Sequence, residues 1–250
     1  MMRADGSGLL NLTQSPGTDS EPAWSPDGAL IAFVSNRTGH RELFVMDTLG
    51  GHQIQITNRS QTVDRPTWAP DGQRLMFSAD GILHTLSPTG QDTTEITANS
   101  GQEPAWNPHA ARVAIGGGGA CLGLIDTNGT NMRLAGFCKP STGSYTPAWS
   151  PTGSRLVFTR LGAGLKYSLI INDTLNSNEF DLTQHLAPSQ ATGVTQPAWS
   201  HDGRDIAFTC NTSTDEFNPQ FDLCLIHPDG SGFRRLTHDA ASDTWPTWAP

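Results

Sequence analysis

Positive charge is what this sequence has least of. Its 250 residues hold 15 Lys and Arg against 24 Asp and Glu, a net charge of −9, and its only lysines are Lys139 and Lys166. A chain with no basic run cannot track a phosphate backbone, so nucleic acid is excluded as a partner. Long apolar runs are lacking as well. Nothing approaches the roughly 18 consecutive apolar residues of a membrane span, and no basic segment followed by an apolar one opens the chain as a signal peptide would. There are four cysteines and no CxxC pair, which argues against a zinc or redox centre. GxSxG, HExxH and P-loop signatures are absent. His40, His84, His109, His185, His201, His227 and His238 fall at unrelated places without i, i+4 pairing, and read as surface or turn residues. No catalytic residue, cofactor or metal ligand is expected.

What the chain does have is repetition, the first thing to look for in a sequence rich in Gly and Pro. "EPAWSPDG" at Glu21–Gly28 returns as "RPTWAPDG", "EPAWNPHA", "TPAWSPTG" and "QPAWSHDG", and the chain ends on "WPTWAP". The tryptophans Trp24, Trp68, Trp106, Trp149, Trp199 and Trp248 are spaced 44, 38, 43, 50 and 49 residues apart. That is the period of a four-stranded propeller blade, about 40 to 50 residues. Each complete copy is followed by three apolar residues in a row, Ile31-Ala32-Phe33 in the first unit and Ile206-Ala207-Phe208 in the fifth. Such a run predicts a strand covered on both faces. A second apolar run follows ("LFVMD", "LGLID", "LCLIH"), then a Gly turn, then a short Leu-Thr or Ile-Thr strand. Four strands per unit, repeated radially, solve the edge-strand problem as a propeller does.

Ser25-Pro26-Asp27-Gly28 is turn chemistry, with Pro setting φ and Gly supplying a positive φ. Asp27, Asp71 and Asp202 recur at one place in that turn, so a structural role is expected rather than a calcium or catalytic one. A Trp in every repeat is expected to pack against the neighbouring blade, not to stack on sugars.

The stretch "PAWSPDGALIAFVSNRTGHRELFVMDTLGG" closely resembles the WD-like repeat of TolB-type six-bladed propellers. Unit three departs from it with "NPHA" and a Gly116–Gly119 hairpin, unit four with Thr152 for Asp, and unit five with His201 for Pro. The fold expected is all-β, a single propeller over 1–250. Its blades are expected at 21–60, 61–99, 100–140, 141–190 and 191–240, with an incomplete sixth blade split between 241–250 and 1–20. The second strand and most of the third strand of that sixth blade have no counterpart here, so the chain reads as a fragment in which Met1 is internal and any signal peptide is lost.

Propellers usually act at their axial channel or loop faces. The residue before each motif Pro opens the innermost strand and varies while its neighbours repeat. Glu21, Arg65, Glu103, Thr146, Gln196 and Trp245 are therefore the candidates to face the channel or a partner. The Asn211 to Asp222 connection is a further candidate contact loop. Cys210 with Cys224, and Cys121 with Cys138, fall in neighbouring antiparallel strands of single blades and form two candidate disulfides, suited to an oxidising compartment. The resemblance implies a non-enzymatic scaffold in the periplasm or outside the cell, binding an envelope lipoprotein or other protein. Two alternatives remain: a gating propeller of a prolyl-oligopeptidase-family serine peptidase whose catalytic domain lies elsewhere, and a carbohydrate-binding or sugar-processing propeller.

Overall fold

A computed structural model describes the chain except for residues 60–61, 97–102, 117–121, 136–142, 163–165, 175–177, 188–190, 192, 214 and 216–218. Blade 1 consists of β1 (Asp19–Trp24), β2 (Leu30–Ser35), β3 (Glu42–Asp47) and β4 (Ile54–Gln55). Blade 2 has β5 (Val63–Trp68), β6 (Leu75–Ala79), β7 (Ile82–Leu86) and β8 (Thr94–Ile96). Blade 3 has β9 (Glu103–Trp106), β10 (Arg112–Gly116), β11 (Leu122–Asp126) and β12 (Arg133–Ala135). Blade 4 has β13 (Ser144–Trp149), β14 (Arg155–Leu161), β15 (Tyr167–Asp173) and β16 (Glu179–Asp181). Blade 5 has β17 (Gly193–Trp199), β18 (Ile206–Asn211), β19 (Phe221–Ile226) and β20 (Arg234–Arg235). In each sheet the strands lie in chain order and pair antiparallel. The described residues include no α-helix.

The middle strands explain why the apolar runs are continuous. In β2, Ala32 packs with Leu43, Val45 and the blade 2 residues Leu75 and Phe77. Ile31 and Phe33 point to the other face, into a cluster with Phe44, Met46, Leu12 and Trp24. Both faces of each middle strand are thus buried, and a fully buried Phe or Leu contributes about 1.5–3 kcal/mol. The outer strands β4, β8, β12, β16 and β20 are two or three residues long, and so short an edge offers little template for stray pairing.

The expected six-bladed ring with a split sixth blade is corrected by this architecture, which has five four-stranded blades. Residues 1–18 and 236–250 carry no strand. The reason is hydrogen-bonding geometry. The terminal segments match an innermost and an outermost strand, and in every blade these two are separated by the middle pair, so they are not each other's ladder neighbours. They pack as coil instead. The Trp248 Nε1–H donates to the Ala198 carbonyl at 3.1 Å, and Met1 and Leu10 exchange backbone hydrogen bonds.

Candidate functional site

The innermost strand of each unit carries a Pro one residue after its candidate position, and Pro has no N–H for the ladder. In four of the five units pairing to the second strand skips at this point, whereas in blade 3 Pro104 stays in register opposite Ile115. The register jumps between Ser20 and Ala23, Asp64 and Thr67, Tyr145 and Ala148, and Thr195 and Ala198. These are β-bulges, which re-aim side chains. At four bulges the residue before Pro has a left-handed backbone: Glu21 at φ 55°, Arg65 at 60°, Thr146 at 48° and Gln196 at 56°. Trp245, before Pro246, repeats it at 59°. Residues before Pro normally avoid this region, so the conformation is held by contacts.

Those contacts run from unit to unit. Glu21 Oε2 accepts the Arg65 backbone N–H at 2.5 Å. Glu103 Oε2 accepts the Thr146 N–H. Gln196 Oε1 accepts the Trp245 N–H at 3.0 Å. In each case a side chain at this position clasps the backbone of the next unit. Arg65 adds a link through its side chain, with Nη2 2.9 Å from Glu103 Oε1. Its guanidinium carbon lies 4.2 Å from the centroid of the Trp245 ring, while Nη1 is buried and has no acceptor among the described residues. Arg41 donates to Glu21 at 2.6 Å and also pairs with Asp64. Thr146 and Gln196 are anchored by the hydroxyls of Thr159 and Thr209. All six candidate residues are thus drawn into one chain of contacts.

A cavity of 340 Å³ opens beside them, lined by Glu21, Asp64, Arg65, Asp80, Glu103 and small polar residues. Its lining is predominantly acidic. Glu21 and Glu103 are 7% and 8% exposed. Burial pushes both carboxyls above the ordinary glutamate range, against the pull of the N–H groups and arginines they hold. Gly116, opposite Glu103 in the ladder, leaves the room this needs. A Cβ there would sit 2.9 Å from Pro147 Cδ and 3.0 Å from Glu103 Oε2.

The motif tryptophans lie at the seams between units. Trp68 Nε1–H donates to the Ala23 carbonyl and Trp149 Nε1–H to the Ala105 carbonyl, each at 3.0 Å. Asp27 and Asp202 close their turns by accepting from Ser25 and Ser200, and Asp71 accepts the Gln73 N–H. A disulfide joins Cys210 to Cys224, with Cα atoms 5.9 Å apart, inside the usual range of about 4.4 to 6.8 Å. The two are diagonal rather than opposite, since Cys210 faces Asp222 and Cys224 faces Phe208. Cys121 and Cys138 lie outside the described residues, as do parts of the Asn211 to Asp222 connection and of the Gly116–Gly119 hairpin. Among the described residues, no group of three or more His, Cys, Asp or Glu is placed to hold a metal ion, and no helix is long and apolar enough to cross a membrane.

Sequence reading missed Arg41, Asp64, Thr159 and Thr209, which support the six, Asp64 from beside Arg65 on β5 and the others from other strands and loops. It also missed the bulges, although a Pro inside each innermost strand was their signal.

Residues 1–135 match the family model described as the TolB beta propeller domain. Over 47 residues the chain is 43% identical to a protein TolB homolog of Chlorobium luteolum, covering 19% of this chain and 11% of that protein. Over 221 residues it is 28% identical to dipeptidyl-peptidase 5 of Porphyromonas gingivalis, covering 82% of this chain and 31% of that one. The chain thus spans less than a third of either curated relative. The crystal structure of TolB from Acinetobacter baumannii superposes with a TM-score of 0.84 at 21% identity, covering 100% of this chain and 61% of that one, a likeness of fold.

Proposed function

The chain belongs to the TolB beta propeller domain family, and from that premise we propose that it is a non-enzymatic scaffold binding a protein partner at the inner ends of its blades. The observation that carries this reading is the contrast between scaffold and site. The turn, Trp and apolar positions repeat from unit to unit, while Glu21, Arg65, Glu103, Thr146, Gln196 and Trp245 vary, and Glu21, Arg65 and Glu103 of these line an acidic cavity. A scaffold does not need that variety, and a docking surface does. The partner is a protein of the cell envelope, such as a lipoprotein, and the compartment is periplasmic or extracellular. The Cys210–Cys224 disulfide supports an oxidising location.

Photo-crosslinking residues placed at Asp80, on the cavity, and at Leu134, on the outer rim, test the site. A protein adduct is expected from position 80 alone. Adducts from position 134 alone, or equally from both, overturn it. Hydrolysis of peptide substrates by the purified chain above a heat-killed control would overturn the non-enzymatic part.

A second reading has one observation in its favour, the alignment with a dipeptidyl-peptidase over 82% of the chain. Here the propeller would gate access to a serine peptidase domain. An α/β domain with a GxSxG elbow encoded in the same gene would decide for it.

A further inference from the structure

Two buried glutamates flank one arginine. Glu21 holds the Arg65 backbone N–H and Glu103 holds its guanidinium, which stacks on Trp245. We propose that this cluster is a proton-operated latch, in which protonation of Glu21 and Glu103 releases Arg65 and so frees the Trp245 ring from the guanidinium.

The charges that face the latch come from several elements. Glu21 faces Arg41, Asp64 and Arg65. Glu103 faces Arg65 from β5 and Tyr167 from β15, and Asp80 lines the same cavity. With every group ionised, the four acids Glu21, Asp64, Asp80 and Glu103 surround the two bases Arg41 and Arg65. Solvent protons added to Glu21 and Glu103 neutralise both and leave two acids against two bases. Arg65 then loses its ion pair to Glu103. Its Nη1 has no acceptor among the described residues, and among the described contacts the Trp245 face is what then remains to the guanidinium.

Trp245 is the half of the contact that no strand ladder holds. It sits in strandless chain, held at its N–H by Gln196 and Thr209. Gln196 occupies the clasp position that Glu21 and Glu103 occupy in blades 1 and 3, but its amide does not titrate. Acid therefore loosens the Arg65 side of the contact and leaves the Trp245 backbone clasped. Burial supports a response in mild acid, since both carboxyls take up a proton more readily than an exposed glutamate.

Labelling with 5-fluorotryptophan and 19F NMR tests the latch, with the Trp245 resonance assigned through Trp245→Phe. A reversible shift of that resonance is expected, with a midpoint above the ordinary glutamate value of 4.5. The midpoint is expected to move in Glu21→Gln and Glu103→Gln, and the transition to vanish in the double variant. Side-chain carboxyl 13C shifts of Glu21 and Glu103 in the unaltered chain supply a second readout that needs no variant, and they must titrate with the same midpoint. A Trp245 resonance that stays flat from about pH 8 to 4, a transition that survives in the double variant, or carboxyls that titrate apart from Trp245 would each overturn the latch.

Discussion

Arg65 and Trp245 meet face to face, guanidinium carbon to ring centroid at 4.2 Å, although 180 positions of sequence separate them. One belongs to blade 2 and the other to the chain that follows blade 5, so the contact reaches past blade 1. A cation over an indole contributes about 0.5–1 kcal/mol when exposed and about 2 when desolvated. Arg65 is also held by Glu103, which ties the contact to blade 3.

The seam tryptophans differ in a way that mutagenesis can read. Trp149 donates to Ala105, whereas Trp199 Nε1 is buried and has no acceptor among the described residues. Trp149→Phe loses this hydrogen bond, and Trp199→Phe has none to lose among the described residues. Chemical denaturation should find Trp149→Phe about 1 kcal/mol more destabilising than Trp199→Phe. Equal losses would mean that the indole N–H does nothing for the seam.

Removing the disulfide with Cys210→Ala and Cys224→Ala opens a loop closed over a sequence separation of 14. A loop of that length predicts a loss of about 3 kcal/mol. Thermal melting of the double variant should show a lower transition. Because both cysteines are 0% exposed, mild reductant should leave the disulfide of the folded chain intact, as thiol labelling under native conditions would show.

Gly116→Ala places a methyl against Pro147 and the Glu103 carboxylate. Neither neighbour can retreat without breaking the clasp on Thr146, so a cost of about 1–3 kcal/mol is expected. A melting temperature within a degree of the parent chain would show that this corner is loose.

The two buried acids and one buried histidine act in opposite senses on stability. Burial raises the Glu103 carboxyl, so its contribution is full below the ordinary glutamate value of 4.5 and is lost as pH rises through the raised value. Glu103→Gln should flatten that fall in a plot of unfolding free energy against pH. His84 is 6% exposed and stacked on Phe77. Burial, and then the nearby Arg59, lower its pKa below 6.5. The unfolded chain therefore binds more protons than the folded one as pH falls through 6.5, and stability drops there. His84→Gln should remove that slope, and a slope unchanged by the substitution would rule out His84 as its source.

Much of the fold could be read directly from the residues. Period-setting tryptophans, apolar triplets such as Ile31-Ala32-Phe33 and turns such as Ser25–Gly28 are local signals, because burial on both faces and a positive φ at Gly28 each constrain the residue that can stand there. The positions before each Pro were legible as the variable ones among repeating neighbours. Their partners were not. Glu103 reaches the Thr146 backbone and Arg65 reaches Trp245 only because radial packing brings the inner ends of the blades together, and no local pattern encodes which side chain meets which. The diagonal Cys210–Cys224 pairing needed the actual register of β18 and β19. The number of blades was likewise a tertiary outcome. Two terminal segments carry the marks of an inner and an outer strand, but a strand exists only where a neighbour completes its hydrogen bonds, and the folded chain supplies that neighbour in five places.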